Sequence, residues 1–296
     1  MNWRAKAFAH TVMSSVPNSA KVNRLAQRYV TRSLPASEAA FARTVATAER
    51  HILAIRRHEH RDLGRLTFYE FGAGADLMIP LSLYAFGVRS QVLVDVRRLA
   101  SAELVNDTIE KCRRFQSTSP ASWELVGSNL NRELELYYGI QYRAPADARS
   151  TRLEPGSMNS ITSTNTLEHI SPRDIPLILA ECHRILNSDG VFSVQIDYQD
   201  HYAYFDPGIS VYNFLKYSDR SWRFFSPSLH YQNRMRHPDY LELFSHAGFE
   251  LVEESRLEGS ANDLRVIEGL HVDPRFRRYD PLDVAVRSSF LLLKKR

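Results

Sequence analysis

Acidic residues are missing from the first 37 positions of this 296-residue chain. Cysteine is nearly missing too. Cys112 and Cys182 are the only two, too few for a disulfide framework, so a reducing, cytoplasmic setting is the simpler expectation. No run approaches the roughly 18 consecutive apolar residues of a membrane-spanning helix. No low-complexity tract and no internal repeat occurs. What is present is ordinary for a globular protein, with 44% apolar and 24% charged residues, which excludes a disordered chain, a collagen or a coiled coil. The length suits one large domain with appendages. A net charge of +4 does not argue for nucleic acid.

That charge is uneven. Arg4, Lys6, Lys21, Arg24, Arg28 and Arg32 give the first 37 residues a local +6, so the remainder is near neutral. Phe8, Val12 and Val16 recur at helical spacing, as do Val22, Leu25 or Ala26, and Tyr29 or Val30, with Pro17 between. Two short basic amphipathic helices are expected. Without a continuous apolar core they are no cleavable signal, although a mitochondrial transit peptide shares their composition. They would serve as a lid on the main domain, or as a peripheral surface for anionic lipid or a lipid-linked substrate. Residues 38–60 predict a further helix ending in a basic turn. His51, His58 and His60 have no i, i+4 pair, and no metal site is expected.

From there the period changes. Leu66–Phe71, Gln91–Val96, Gly139–Ala144, Met158–Thr164, Gly190–Asp197, Phe249–Glu254 and Ala285–Leu293 read as strands. Helices are expected at about 77–86, 101–115, 172–186 and 238–247. The third of these has Ser171 as N-cap and Pro172 at its first position, with Gly190 beyond its end. Alternating strands and helices predict an α/β, Rossmann-like sheet covered on both faces. The domain is expected over 63–296, with 1–62 as a helical extension.

Glu70-Phe71-Gly72-Ala73-Gly74 lies between a strand and a helix, where glycines allow close backbone approach to a ligand. Asp95 follows 21 residues after Gly74, at the end of the second strand, placed to accept from ribose hydroxyls. Asp76 and Leu77 stand where a dinucleotide fingerprint has its third glycine. Glu70 would repel phosphate and welcome an amino group. Both disfavour an NAD-dependent oxidoreductase.

With Asp147-Ala148 after strand three, Ser163-Thr164-Asn165-Thr166-Leu167-Glu168-His169-Ile170 after strand four, and Glu181–Val191 leading into strand five, the chain resembles the class I S-adenosylmethionine-dependent methyltransferases, of the type 11-like kind. The resemblance runs from about Leu66 onward. It implies a seven-stranded sheet with an antiparallel seventh strand, and S-adenosylmethionine as cofactor. It also implies roles: Gly72, Ala73 and Gly74 under the methionine part, Glu70 near its amino group, Asp95 on the ribose, Asp147 and Ala148 at the adenine, and Thr164 and Asn165 beside the sulfonium. Asp76, where many members have glycine, departs from the pattern.

Methyl transfer to oxygen needs alignment and a proton acceptor. His169, Asp197 and His201 are the expected catalytic residues, near the ends of strands four and five, with His230 further on. A cation on Asp197, Asp200 and His201 is the alternative, but no metal is expected. Residues 198–231 hold 11 of the chain's 32 Phe, Trp and Tyr, about three times an even share. This insertion, 198–237, predicts an aromatic lid in which Tyr198, Tyr202, Trp222 and His230 meet substrate, unless the rings form the lid's own core. Arg220, Arg223, Arg234 and Arg236 would pair with phosphate or carboxylate. Together with Tyr29–Pro35, the insertion is similar to bacterial methyltransferases of polysaccharide and secondary-metabolite biosynthesis. The expected activity is therefore O-methylation of a saccharide, including a lipid-linked one, or of another small molecule. A natural-product or peptide carboxyl methyltransferase is the alternative. A nucleic-acid methyltransferase ranks lower, because an Asn/Asp-Pro-Pro-Tyr-like run and an RNA-binding module are both missing. A cofactor-binding protein without turnover ranks lower still.

Overall fold

The computed structural model describes residues 2–15, 28, 34–115 and 122–296. The expected second basic helix, over 22–30 apart from Arg28, and the segment 29–33 lie outside the described residues. Seven strands form one sheet: β1 (Thr67–Phe71), β2 (Ser90–Val94), β3 (Ile140–Arg143), β4 (Met158–Thr164), β5 (Leu186–Asp197), β6 (Phe249–Leu257) and β7 (Ser288–Lys295). Their order is β3-β2-β1-β4-β5-β7-β6. β1 to β5 pair in parallel, and β7 runs antiparallel to both neighbours. The Rossmann-like sheet with a reversed seventh strand is therefore present. The order reverses between β1 and β4, the place where open α/β sheets leave a crevice at strand C-termini.

Helices cover both faces. On one side, α1 (Trp3–Ser14) is remote from the sheet, whereas α2 (Glu38–Arg56) is built into the core through Phe41, Val45, Ile52 and Ile55. His51 is mid-helix and fully buried. Its ring nitrogens meet Ser193 Oγ at 2.6 Å and Thr164 Oγ1 at 3.1 Å. His58 faces Glu253 instead. Then come α3 (Met78–Ala85), α4 (Ala102–Phe115), α5 (Leu130–Tyr138) and α6 (Ile175–Ile185). The helix α5 was not anticipated. It ends at Gly139 in left-handed geometry, where a Cβ would meet the Arg89 carbonyl oxygen at 1.9 Å. α6 starts a turn later than the Ser171 cap suggested, because Ser171 to Asp174 form a turn in which the Ser171 carbonyl accepts from Asp174 N at 2.9 Å.

The insertion between β5 and α8 (His237–His246) holds the short helix α7 (Asp219–Trp222) and two 3-10 turns, His201–Tyr204 and Asn213–Lys216. Two further helices, α9 (Ala261–Gly269) and α10 (Pro281–Ala285), precede β7. The insertion has its own apolar cluster, in which Tyr202, Tyr212, Phe214 and Trp222 pack with Trp3 and Ala7 of α1 and with Ile267, Phe276 and Val284. The Trp3 ring lies 4.9 Å from Phe225 and 5.5 Å from Tyr202. The apolar stripe expected on α1 is reversed. Phe8 and Val12 are exposed, and Trp3, Lys6 and Ala7 are buried, because the bulky Trp3 ring anchors the helix by the other side. Among the described residues no helix is long and apolar enough to cross a membrane.

Candidate functional site

A cleft of about 360 Å³ opens at the crevice and is lined by Gly72, Asp95, Asp147, Ala148, Thr166 and His169, among others. That volume suits a small organic ligand. Gly72 and Gly74 both adopt left-handed backbone, φ +76° and +82°. At Gly72 the requirement is doubled, since a Cβ would lie 2.3 Å from Thr166 Cγ2. Thr166 Oγ1 donates to the Gly72 carbonyl at 3.4 Å, so this turn is locked to the end of β4. Leu77 (φ +51°) and Asn165 (φ +48°) hold the same region without being glycine. Strained backbone of this kind on two loops around one cleft marks a place the fold over-determines.

Two buried carboxyl groups stand on β1 and just past β2; of these Asp95 lines the cleft and Glu70 does not. Glu70, in β1, is buried, and Thr162 Oγ1 donates to it at 3.3 Å. Burial and the neighbouring Asp95 push it up to about 8. Asp95 stands just past β2. Burial pushes it up to about 7, opposed by the Tyr142 hydroxyl, and its Oδ2 has no hydrogen-bond partner. Tyr142 is itself held by Leu99 N at 3.1 Å and Ala100 N at 3.3 Å. A ligand carrying hydroxyls and an ammonium would satisfy both groups.

Asp147 is engaged. Arg149 bridges it at 2.7 Å and Asp174 at 2.7 Å, which holds the Asp147 carboxyl below its usual range. The Glu181–Arg184 motif explains how this loop is fixed. Glu181 Oε1 accepts from Thr151 N at 2.8 Å and from Thr151 Oγ1 at 2.5 Å, and Arg184 donates to the Leu153 carbonyl at 2.7 Å. Ala73, Gly74, Thr164 and Asn165 are not cleft-lining. Thr164 is occupied by His51, and Asn165 Oδ1 accepts from Gln195 at 3.3 Å. Thr166, two residues on, takes that wall. Sequence reading missed it because its importance is its contact with Gly72.

The other side of the crevice is made of imidazoles and carboxylates. His169 closes the turn Leu167–His169 after β4, and His201 opens the turn after β5, their rings 4.9 Å apart. His201 Nε2 is 3.4 Å from Asp197 Oδ2, which also accepts from Tyr204 OH. Burial alone would raise the Asp197 carboxyl, but His201 and Tyr204 hold it below its usual range. Tyr204 stacks on His201 at 5.3 Å and was overlooked. Glu168, also overlooked, is buried behind them. His230 lies 5.0 Å from His10 of α1 and 6.4 Å from His201, ring to ring, with burial lowering its pKa to about 3.

Tyr198, Tyr202 and Trp222, expected to meet substrate, are all buried. Tyr198 is in the main core, its hydroxyl at 2.7 Å from Ser289 Oγ. Tyr202 is fully buried, its hydroxyl donating to the Phe225 carbonyl. Trp222 donates from Nε1 to the Gln232 carbonyl at 3.2 Å, although it also borders a second cleft. Asp200 turns into the insertion and binds Asn213 Nδ2 at 3.0 Å, away from a shared cation with Asp197. Arg236 is buried among the carbonyls of Tyr198, Val284 and Val286, and Arg234 pairs with Asp219 at 2.7 Å, so neither is free for a ligand anion. The second cleft shares Ser171 with the first and is bordered by Arg173, Arg223 and Arg275.

Residues 117–194, reaching into β5, match a family described as a methyltransferase domain. The match spans about a quarter of the chain, and around it lies the seven-stranded sheet with antiparallel β7 that the resemblance implied. No curated protein matches it significantly. Solved structures with a similar course include the 1,6-didemethyltoxoflavin-N1-methyltransferase of Burkholderia thailandensis, solved with 1,6-didemethyltoxoflavin and S-adenosylhomocysteine. It shows 13% identity over 97% of this chain and 88% of that chain, with TM-score 0.47. A Leishmania major S-adenosylmethionine-dependent methyltransferase shows 14% identity over 99% and 83%, with TM-score 0.48. One from Methanosarcina mazei shows 11% over 82% and 96%, with TM-score 0.47.

Proposed function

We propose that this chain is an S-adenosylmethionine-dependent methyltransferase that methylates an oxygen of a small polar acceptor, a saccharide or another hydroxyl compound. The carrying observation is the set Asp197, His201 and Tyr204 beside His169, a proton-accepting group at the edge of the cofactor cleft. A hydroxyl nucleophile needs such a group, and a carboxylate acceptor does not. The bound cofactor supplies an electrophilic methyl on a sulfonium. Glu70 would face its ammonium, Asp95 its ribose hydroxyls, and Asp147 and Ala148 its adenine. The Gly72–Gly74 turn and Thr166 would shape the wall between them. Thr164 and Asn165 would act through the backbone of that wall.

Asp197 orients His201, and His201 takes the acceptor proton, while His169 and His230 border the acceptor. The insertion and α1 form the lid, held together by aromatic rings, whereas α2 belongs to the core. Arg173 and Arg223 beside the second cleft favour an acceptor with an anionic group, such as a sugar phosphate, whereas Arg275 is paired with Asp219. The loose kinship with polysaccharide methyltransferases, including lipid-linked substrates, agrees with this, as does the basic N-terminal segment as a peripheral surface.

Calorimetric titration with S-adenosylhomocysteine, with NAD as control, tests the cofactor half; micromolar binding of the first alone is expected. Turnover tests the acceptor half. His201→Ala should cut transfer to a hydroxyl acceptor by about 10²–10⁴. Unchanged transfer would turn the assignment toward a carboxyl acceptor.

A further inference from the structure

We propose that Glu168, His169 and His201 hold one divalent transition-metal cation at the mouth of the cofactor cleft. One ligating atom from each lies within 4.8 Å of the other two. Three ligands each about 2.1 Å from a zinc-sized ion lie roughly 3.4–3.6 Å from one another. Closing the site therefore needs at most about 1.4 Å of approach between any two ligand atoms, within reach of side-chain rotation.

Each ligand is already prepared. Glu168 is 2% exposed. Its Oε1 accepts from Asp197 N at 3.3 Å, and its Oε2 is buried without a partner. A carboxylate oxygen left bare in the interior is costly unless a cation meets it. Its backbone is pinned as well, since the Glu168 carbonyl accepts from Asn233 N at 2.8 Å. His169 Nδ1 lies 2.8 Å from the Tyr231 carbonyl. A carbonyl only accepts, so Nδ1 carries the hydrogen and Nε2 presents its lone pair. Metal-bound imidazoles are commonly held this way. His201 Nε2 is buried and has no aligned hydrogen bond, despite the Asp197 carboxylate 3.4 Å away.

Two imidazoles and one carboxylate suit Zn²⁺, Co²⁺, Mn²⁺ or Fe²⁺, with further positions open to an acceptor oxygen. His169 also lines the cofactor cleft, so the open side faces the reacting groups.

This rests on the methyl-transfer reading and refines it: His201's lone pair then binds the cation, and Asp197 becomes the proton acceptor. The acceptor O–H bond breaks and its proton goes to the Asp197 carboxylate. The oxygen forms a bond to the methyl carbon, and the carbon–sulfur bond breaks with its electron pair left on sulfur as S-adenosylhomocysteine. The cation makes that hydroxyl more acidic and fixes its direction.

The test uses the full chain after chelator treatment and titrates Co²⁺ against its visible d–d absorption, with Zn²⁺ displacement. One Co²⁺ per chain is expected, displaced by Zn²⁺. Glu168→Gln and His201→Ala should each weaken it at least about tenfold, and His60→Ala, in the exposed turn after α2, should not. Absence of stoichiometric Co²⁺ binding overturns the proposal, and so does binding unchanged in both variants. Should Glu168→Gln fail to fold by circular dichroism, His201→Ala decides alone. A parallel S-adenosylhomocysteine titration separates the two readings. Cofactor binding without Co²⁺ binding removes only the cation, and Co²⁺ binding without cofactor binding removes only the cofactor assignment.

Discussion

The two sides of the crevice are built from different material. The β1–β2 side is backbone turn and isolated carboxyl groups: Gly72 and Gly74 in left-handed geometry, with Glu70 and Asp95 buried and Asp95 Oδ2 without a partner. Its parts lie within one βαβ unit. The β4–β5 side is side-chain clusters gathered from distant segments, with His10, His169, His201 and His230 ring to ring across α1, two strand ends and the insertion. The first side waits for a ligand to complete its hydrogen bonds. The second is stacked and hydrogen-bonded within the protein, apart from a few bare atoms on Glu168, His201 and His230. On the proposed reading, one side takes the cofactor and the other the acceptor.

The sharpest way to separate the two sides is His201→Ala. Acceptor turnover should fall by about 10²–10⁴ while S-adenosylhomocysteine affinity stays within twofold. Equal loss of both, measured by kinetics and calorimetry, would show that the sides are one unit. Next in size is the tie between lid and extension. Trp3→Ala removes a buried indole packed on Phe225, Tyr202 and Tyr217, and should cost about 3–5 kcal/mol of lid stability, read by hydrogen exchange in 198–237. Protection unchanged there would detach α1 from the acceptor side.

pH probes the cofactor side. Glu70 is raised from 4.5 to about 8, so the folded chain holds a proton there that the unfolded chain has lost. Stability from this group is full below pH 4.5 and falls as pH rises toward 8, by about 4 kcal/mol. A bound ammonium reverses the preference, so S-adenosylhomocysteine affinity should rise from pH 6 to 8. Glu70→Gln should flatten both trends in denaturant melts and titrations; slopes unaltered in the variant would place the proton elsewhere.

Asp95→Ala is expected to weaken S-adenosylhomocysteine by about 1.5–3 kcal/mol, with an intact fold. Unchanged affinity by calorimetry would remove Asp95 from the cofactor side. The smallest effect is expected at Glu181→Ala. Losing the Thr151 and Arg184 contacts should cost roughly 1–2 kcal/mol in a denaturant melt and loosen the Asp147 loop, without direct contact with the cleft.

Strand positions, the glycine turn and Asp95 were legible in the sequence because they are local. A β-prone run ending in Gly-x-Gly needs nothing from elsewhere to be read, and Met158–Thr164 is the strand as expected. α5 was missed because its charged surface hides a face of only Leu134 and Tyr138. Trp222 and Tyr202 were taken for substrate contacts because an aromatic ring carries no mark of which face will be covered. Arg236 suggested an anion partner but binds three carbonyls, a satisfaction visible only when β7's approach is known. Thr166 and Glu168 gave no signal beyond their motif, since one matters through Gly72 and the other through being buried.

What the sequence alone determined is the order of strands and helices, the turn that needs glycine and the acids at strand ends, all set by periodicity and backbone sterics acting over a few residues. Only the tertiary structure decided which rings became core, which face of α1 was buried, and that Glu168, His169 and His201 meet. Those outcomes depend on desolvation and packing between segments up to two hundred residues apart, as the Trp3 N to Asp206 hydrogen bond shows, and no local pattern encodes them.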